Sequence, residues 1–300
     1  MKTVEYYLLD VFTDQPFTGN PLVVFLESDG LNTSTMQALA NELNLAETVF
    51  LGTATESGHY PMRIFTPTRE LPFAGHPTVG TAHLLAELNL VNRAEDVVLT
   101  PPIGELVVSY KQGRATFTTA QPAKVMDSTI DHATAAKLLG LERHQVMGSP
   151  VLSTFGLPFH LIELVDHEAL ARISIDTALW QRSVMTSSAQ QVYLYVTEPS
   201  DNAAIQISSR MFCMHASICE DPATGSAAAA LTGYLASLQP NALGCTIHQG
   251  VEMGRPSVIH TAANGGIEPG FVTVGGNAVV VGQGAFKLHQ ACPARPALLI

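Results

Sequence analysis

Three hundred residues, 46% hydrophobic and only 14% charged, suffice for one large domain or two medium ones with a substantial core, and nothing in the composition favours disorder. A net charge of −11, with 15 Lys and Arg scattered along the chain, argues against a nucleic-acid groove or an anionic membrane as partner. No apolar run approaches the roughly 18 residues of a membrane span, and acids interrupt the opening MKTVEYYLLDVF, so no signal peptide is read there and the expected compartment is the cytosol.

In chain order, YYLLDVF reads as a strand, followed by a turn around Pro16 and Gly19 and a second strand, PLVVFL. A helical pattern over STMQALANEL precedes two strands, ETVFL and MRIFT. The helix PTVGTAHLLAELNL comes next, and the short strands VVLTP, ELVVSY and RATFTT follow it. Residues 121 to 128, QPAKVMDS, read as a connector. Beyond it lie strand PFHLIEL, a helix around DTALWQRS, and strands QVYLYV and AIQISSRMF. The helix PATGSAAAALTGYLASL and the strands TIHQG, SVIHTA, FVTVGG and AVVVGQG complete the pattern.

The plan occurs twice. Setting GHPTVGTAHLLAEL over EDPATGSAAAALTG puts Pro77 on Pro222, Gly80 on Gly225 and Thr81 on Ser226, a constant offset of 145 that also puts His76 on Asp221. RIF from Arg63 echoes RMF from Arg210, and ETVFL from Glu47 echoes QVYLY from Gln191. Matches in one order at similar spacing indicate two related halves. The expected fold is α+β: two pseudo-symmetric halves, each a curled, mostly antiparallel sheet around a central helix. An alanine-rich helix with almost no charge needs that wrapping to be stable. Residues 1–120, completed by 285–300, form the first half in this reading, and 121–284 the second.

A helix N-terminus presents unpaired N–H groups and about half a positive charge, which suits a carboxylate. Two such ends related by a pseudo-twofold axis would grip a small anion from both sides. Gly80 and Gly225 would allow close backbone approach, with Thr81 and Ser226 adding hydroxyls. The plainer alternative is two capped helices, since Asp before Pro is a good helix start. His76 is a poor cap and Asp221 a good one, and an imidazole opposite a carboxylate suits a site that treats its two sides differently. Glu47, beside Leu45, Val49 and Phe50, would be partly desolvated, which raises a carboxyl's proton affinity toward the working range of a general acid or base.

Four cysteines, Cys213, Cys219, Cys245 and Cys292, form no C-x-x-C pair, and no H-x-H or H-E-x-x-H pattern occurs. No glycine-rich nucleotide loop is present either. Neither a metal nor a cofactor is expected.

FTGNP, NLAETVFL, RIFTPTRELPFAGHPTVGTA, EDPATGSAAAAL and GVEMGRPS, in this order, resemble the PhzF family of isomerases, which is similar in fold to diaminopimelate epimerase. The resemblance runs from about residue 5 to about residue 290. It implies a cleft between two halves, a homodimer, and cofactor-free chemistry on a small carboxylated substrate. It also implies Glu47 as the acid/base residue, His76 and Asp221 as polar cleft residues, and Gly75 with Gly225 and Ser226 as anion-binding segments. Asn20 would line the cleft. The epimerases of this fold use two opposed thiols at the helix starts, whereas here neither block holds a cysteine and none precedes Cys213. Two-thiol racemisation is thereby excluded. The reading is an isomerase that moves a proton on a small carboxylic acid. Its rivals are an epimerase or racemase with non-thiol groups, and a non-catalytic metabolite-binding protein.

Overall fold

The computed structural model describes residues 2–198, 204–214, 217–263 and 270–288. β1 (Lys2–Val11) and β2 (Asn20–Phe25) pair antiparallel. The turn between them ends at Gly19, whose φ of +64° and contact with the Val11 carbonyl leave no room for a side chain. Asn32 caps α1 (Thr33–Leu43), which buries Met36, Leu39 and Ala40 and carries the chain over to β3 (Thr48–Leu51), parallel to β2. β4 (His59–Phe65) runs antiparallel to β3, and the two-residue β5 (Glu70–Leu71) folds back on it. α2 (Gly75–Glu87) is buried at every residue but the last, as its uncharged surface requires. β6 (Val97–Thr100) lies parallel to β4, and β7 (Leu106–Lys111) and β8 (Arg114–Thr118) close the half as hairpins.

The second half begins with β9 (Lys124–Asp127), α3 (His132–Leu138) and β10 (Val146–Thr154). The series continues through β11 (Pro158–Leu164), α4 (His167–Ala171), α5 (Thr177–Ser183), β12 (Gln191–Glu198) and β13 (Ile205–Met214). β14 (Ile218–Asp221), α6 (Gly225–Ser237), β15 (Leu243–Gln249), β16 (Ser257–Ala263), β17 (Val272–Gly276) and β18 (Ala278–Leu288) complete it. From β10 to β17 the pairing repeats that of β1 to β8. β11 is parallel to β12, β12 antiparallel to β13, β13 parallel to β15, and β15 to β17 form a meander.

The halves are joined by a reciprocal exchange. Their last strands, β8 and β17, pair with each other, after which each chain segment crosses over. β9 adds to β10 of the second half, and β18 runs along the whole of β1, from Lys2 opposite Leu288 to Val11 opposite Ala278. Two sequence expectations change here. The stretch 121–128 is a strand of the second half as well as a connector, and the segment that completes the first half starts at Ala278. Residues 289–300 of the expected C-terminal segment, with Cys292, lie outside the described residues. Each exchanged strand covers what would be an open sheet edge.

The two halves share one apolar core, in which Val79 and Leu84 of α2 meet strand residues and the Ala227–Leu231 run of α6. Two satellite cores lie outside the sheets, one under α1 around Phe25, Phe50 and Phe65, the other around Ile162, Trp180 and Phe212. Each large side chain so buried is worth about 1.5–3 kcal/mol.

Candidate active site

The site is built where the two central helices begin. A Cβ placed on Gly75 would lie 3.6 Å from the Gly225 Cα and 3.7 Å from the Ser226 amide nitrogen, so the N-termini of α2 and α6 abut. Their N-cap residues, Ala74 and Thr224, make no side-chain cap bond. Two positive helix ends facing one another with orphan N–H groups favour an anion between them.

This geometry corrects the register of the repeat. Both helices have 13 residues and start at Gly75 and Gly225, an offset of 150. At the same offset Glu70 and Glu220 each take two contacts from an arginine. Arg63 reaches Glu70 at 2.7 and 2.6 Å, and Arg210 reaches Glu220 at 2.8 and 2.8 Å. The guanidiniums stack on Phe65 and Phe212 at 5.1 and 5.0 Å. ELPFAG is therefore the counterpart of EDPATG. The offset of 145 instead matched a second P-x-x-G, Pro77 to Gly80, which lies inside α2. Gly80 is in the second turn, where a Cβ would press on Leu22 and Val11, so its smallness serves helix–strand packing. Thr81 is fully buried, and its hydroxyl has no partner among the described residues. Neither residue is at a helix start, where the unpaired N–H groups are. His76 pairs in the repeat with Ser226, and Asp221 with Leu71, and neither His76 nor Asp221 is a cap.

Glu47 occupies the corner between α1 and β3, with its side chain 20% exposed and Oε2 3.3 Å from His76 Nδ1. Burial, and secondarily the charge of Asp221, push its carboxyl up to about 8. His76, 5% exposed, is held down at about 3 by burial, and its Nε2 has no partner among the described residues. Both shifts favour the uncharged forms, a neutral imidazole against a protonated carboxyl. Asp221 ends β14. Its Oδ1 accepts from Asn20 Nδ2 at 3.0 Å and its Oδ2 from the Thr224 hydroxyl. Burial raises it to about 6 against those two hydrogen bonds, which lower it. Asn20, only 1% exposed, also donates to the Ala223 carbonyl at 2.9 Å, so it ties the first half to the second.

Sequence reasoning missed two supports. Arg255, inside the GVEMGRPS block, donates to Asp10 Oδ1 at 2.6 Å and to the Thr18 and Gly19 carbonyls at 2.6 and 2.7 Å. It fixes the turn that delivers Asn20. Gln249, at the end of β15, donates to the Asp221 carbonyl at 2.8 Å and to Thr224 Oγ1 at 3.0 Å. The only signal for either was the glycine that follows Gln249 and the motif around Arg255. Cys213 and Cys219 face each other across β13 and β14 with Sγ atoms 3.3 Å apart, and contact with Cys219 and burial keep the Cys213 thiol far above its ordinary range. Among the described residues no group of three or more His, Cys, Asp or Glu is placed to hold a metal ion, and no helix is long and apolar enough to cross a membrane.

Residues 9–284 match the family described as phenazine biosynthesis-like protein, PhzC-PhzF. The chain belongs to that family. An uncharacterized isomerase of Mesorhizobium japonicum is 37% identical over 95% of this chain and 99% of its own. The trans-2,3-dihydro-3-hydroxyanthranilate isomerase of Pseudomonas chlororaphis is 31% identical over 94% and 99%. A PhzF-family phenazine biosynthesis protein of Bacillus anthracis superposes with a TM-score of 0.85, at 22% identity, over 96% of this chain and 100% of its own. The PhzC-PhzF chain described here is thus an isomerase with a small-molecule substrate, on the α+β fold its repeats imply.

Proposed function

We propose that this PhzC-PhzF isomerase moves a proton along a small unsaturated carboxylic acid, with Glu47 as the proton carrier. One observation carries the reading: two half-buried carboxyl groups from opposite halves, with split proton affinities, beside a pair of abutting helix N-termini. Divergent environments of this kind separate acid from base. At neutral pH Glu47 holds a proton and Asp221 is ionised.

The substrate carboxylate sits against the backbone at Gly75 and at Gly225–Ser226, with the Ser226 hydroxyl as a further donor. Glu47 delivers its proton to one carbon of the double-bond system. The Glu47 carboxylate so formed takes a proton from the carbon that must lose one. The bonds shift by one position, the formula is unchanged, and Glu47 returns to its starting state. His76, neutral and in contact with Glu47, aims the carboxyl. An inverting epimerase is the second reading, favoured by carboxyl groups supplied from both halves, and inversion of a stereocentre without double-bond migration would mark it. A homodimer and independence of cofactors are inferred from the family resemblance.

The test uses trans-2,3-dihydro-3-hydroxyanthranilate, the compound in the relatives' names, and a panel of unsaturated carboxylates preselected by thermal stabilisation. In deuterated water the product should carry deuterium at the newly protonated carbon. Glu47→Gln should lower turnover by at least about 10², the lower range for a general acid–base group, while binding persists. A folded Glu47→Gln that turns over at the parent rate overturns the proposal.

A further inference from the structure

Gln249 is fully buried and makes all four hydrogen bonds an amide can make. Its Oε1 accepts from the Thr224 amide at 3.2 Å and from the Tyr193 hydroxyl at 3.2 Å. Its Nε2 donates to the Asp221 carbonyl at 2.8 Å and to Thr224 Oγ1 at 3.0 Å. Flipping the amide would set donor against donor at the Thr224 amide and acceptor against acceptor at the Asp221 carbonyl, so its orientation is settled by its partners. Thr224 Oγ1 therefore receives a hydrogen from Gln249 and directs its own onto Asp221 Oδ2. Asn20 supplies the donor to Oδ1, and its other donation, to the Ala223 carbonyl, fixes its own orientation.

We propose that Gln249 and Thr224 are positioning residues, a one-way hydrogen-bond relay that holds Asp221 as an acceptor on both oxygens beside Glu47. A neutral Asp221 would need to place a proton where Asn20 or Thr224 already points one. The relay keeps Asp221 an anion, and that anion helps keep the proton on Glu47. Among the described residues, the other titratable groups beside the pair are His76, Glu220, Cys213 and Tyr193. Glu220 is paired with Arg210, and the Tyr193 phenol is pushed well above its ordinary range by burial. The first half has no such relay, because Leu71 and Ala74 stand where the second half has Asp221 and Thr224.

The functional consequence rests on the proton-carrier reading; the relay itself does not, so the test needs no substrate. Side-chain carboxyl 13C titration of the free protein compares the parent with Thr224→Val, Thr224→Ala and Thr224→Ser. Thr224 makes no helix-cap bond, and the first half carries Ala at this position, so the variants should fold, which a thermal melt verifies. Removing one hydrogen bond to a carboxylate should move the Asp221 midpoint up by about one pH unit in the Val and Ala variants and move the Glu47 midpoint down. Thr224→Ser should titrate like the parent. Unmoved midpoints in a folded Val or Ala variant overturn the relay. If the midpoints move but Glu47→Gln keeps full turnover, the relay stands and the proton-carrier reading falls; if Glu47→Gln is inactive and the midpoints stay, the reverse holds.

Discussion

In the first half Arg63 grips Glu70 and stacks on Phe65, and in the second Arg210 grips Glu220 and stacks on Phe212. Each pair braces a hairpin that leads, through a proline, to the glycine where a central helix begins. Phe50 opposite Arg63 and Leu194 opposite Arg210 extend the match upstream, so Glu47 has Gln191 as its counterpart. Apart from the matching Arg–Glu braces, the duplicated positions at the site then differ in the groups that can carry charge or a proton: Glu47 against Gln191, Leu71 against Asp221, Ala74 against Thr224, His76 against Ser226. The framework has been kept twice and the chemistry divided. An enzyme that inverts a centre with two equivalent bases would keep its bases in register, whereas here Glu47 and Asp221 come from non-equivalent positions. The duplicate of Glu47, Gln191, is an amide that cannot titrate.

Breaking the framework should have the largest effect on folding, and an unequal one. The Arg210 and Glu220 side chains are only 11% and 14% exposed, and Arg210 also donates to the Leu170 carbonyl at 3.0 Å. Arg210→Met leaves a buried carboxylate without its partner and should cost about 3 kcal/mol or more. Arg63 and Glu70 are 33% and 30% exposed, so Arg63→Met should cost about 1 kcal/mol. Urea denaturation of the two variants measures this, and equal losses would show that the two braces do not differ in burial.

Glu47→Gln makes the first half resemble the second, and its effect on stability should depend on pH. Glu47 is raised from 4.5 to about 8 in the folded protein, so between those values the folded state holds a proton that the unfolded state has released. Stability contributed by that proton is full below about pH 4.5 and is lost as pH rises through 8. The amide needs no proton. Glu47→Gln should therefore melt several degrees above the parent at pH 8.5 and near it at pH 4.5. His76 acts on the other side: held down at about 3, it favours the folded state above its unfolded value of 6.5 and loses that contribution as pH falls toward 3. A melting difference that does not change with pH would mean Glu47 is ionised in the folded protein at neutral pH.

Strand and helix periodicity made most of the elements legible, and the fact of duplication along with them. Its register at the helices was not, because the stretch ELPFAGHPTVG holds two P-x-x-G matches, Pro72 to Gly75 and Pro77 to Gly80, and spacing alone does not say which opens a helix. Contact does: Gly75 touches the start of α6, and Gly80 touches Leu22. Glu47, His76 and Asp221 were readable as residue types at element ends and through the family resemblance. The exchange of β9 and β18 was not readable, since a strand's pattern shows which face is buried but not which half it joins. Gln249 was silent too. A glutamine at a strand end is usually solvated, and only the Asp221–Thr224 turn packed against it makes it a support.

The smallest effect is expected at the thiols. Cys213 and Cys219 stand opposite each other on β13 and β14, just beyond the Phe212–Glu220 pair. In the first half the residues just beyond the matching Phe65–Glu70 pair are Thr66 and Arg69, and that hairpin closes through a Thr66 amide to Arg69 carbonyl bond of 2.8 Å. The same brace and the same approach to a central helix are thus built without sulfur. The Cys213 thiol is also held protonated, and the caps of the two central helices are Ala74 and Thr224, so neither cysteine stands where a two-thiol site would need it. Cys213→Ala and Cys219→Ser should each keep turnover within a few-fold and lose roughly 1 kcal/mol of packing, the ordinary cost of a partly buried substitution. Turnover of the folded variants on the same probe decides the matter. A loss of about 10² or more in either would place a thiol in the proton path, and with it the asymmetry of Glu47 and Asp221 would no longer account for the chemistry.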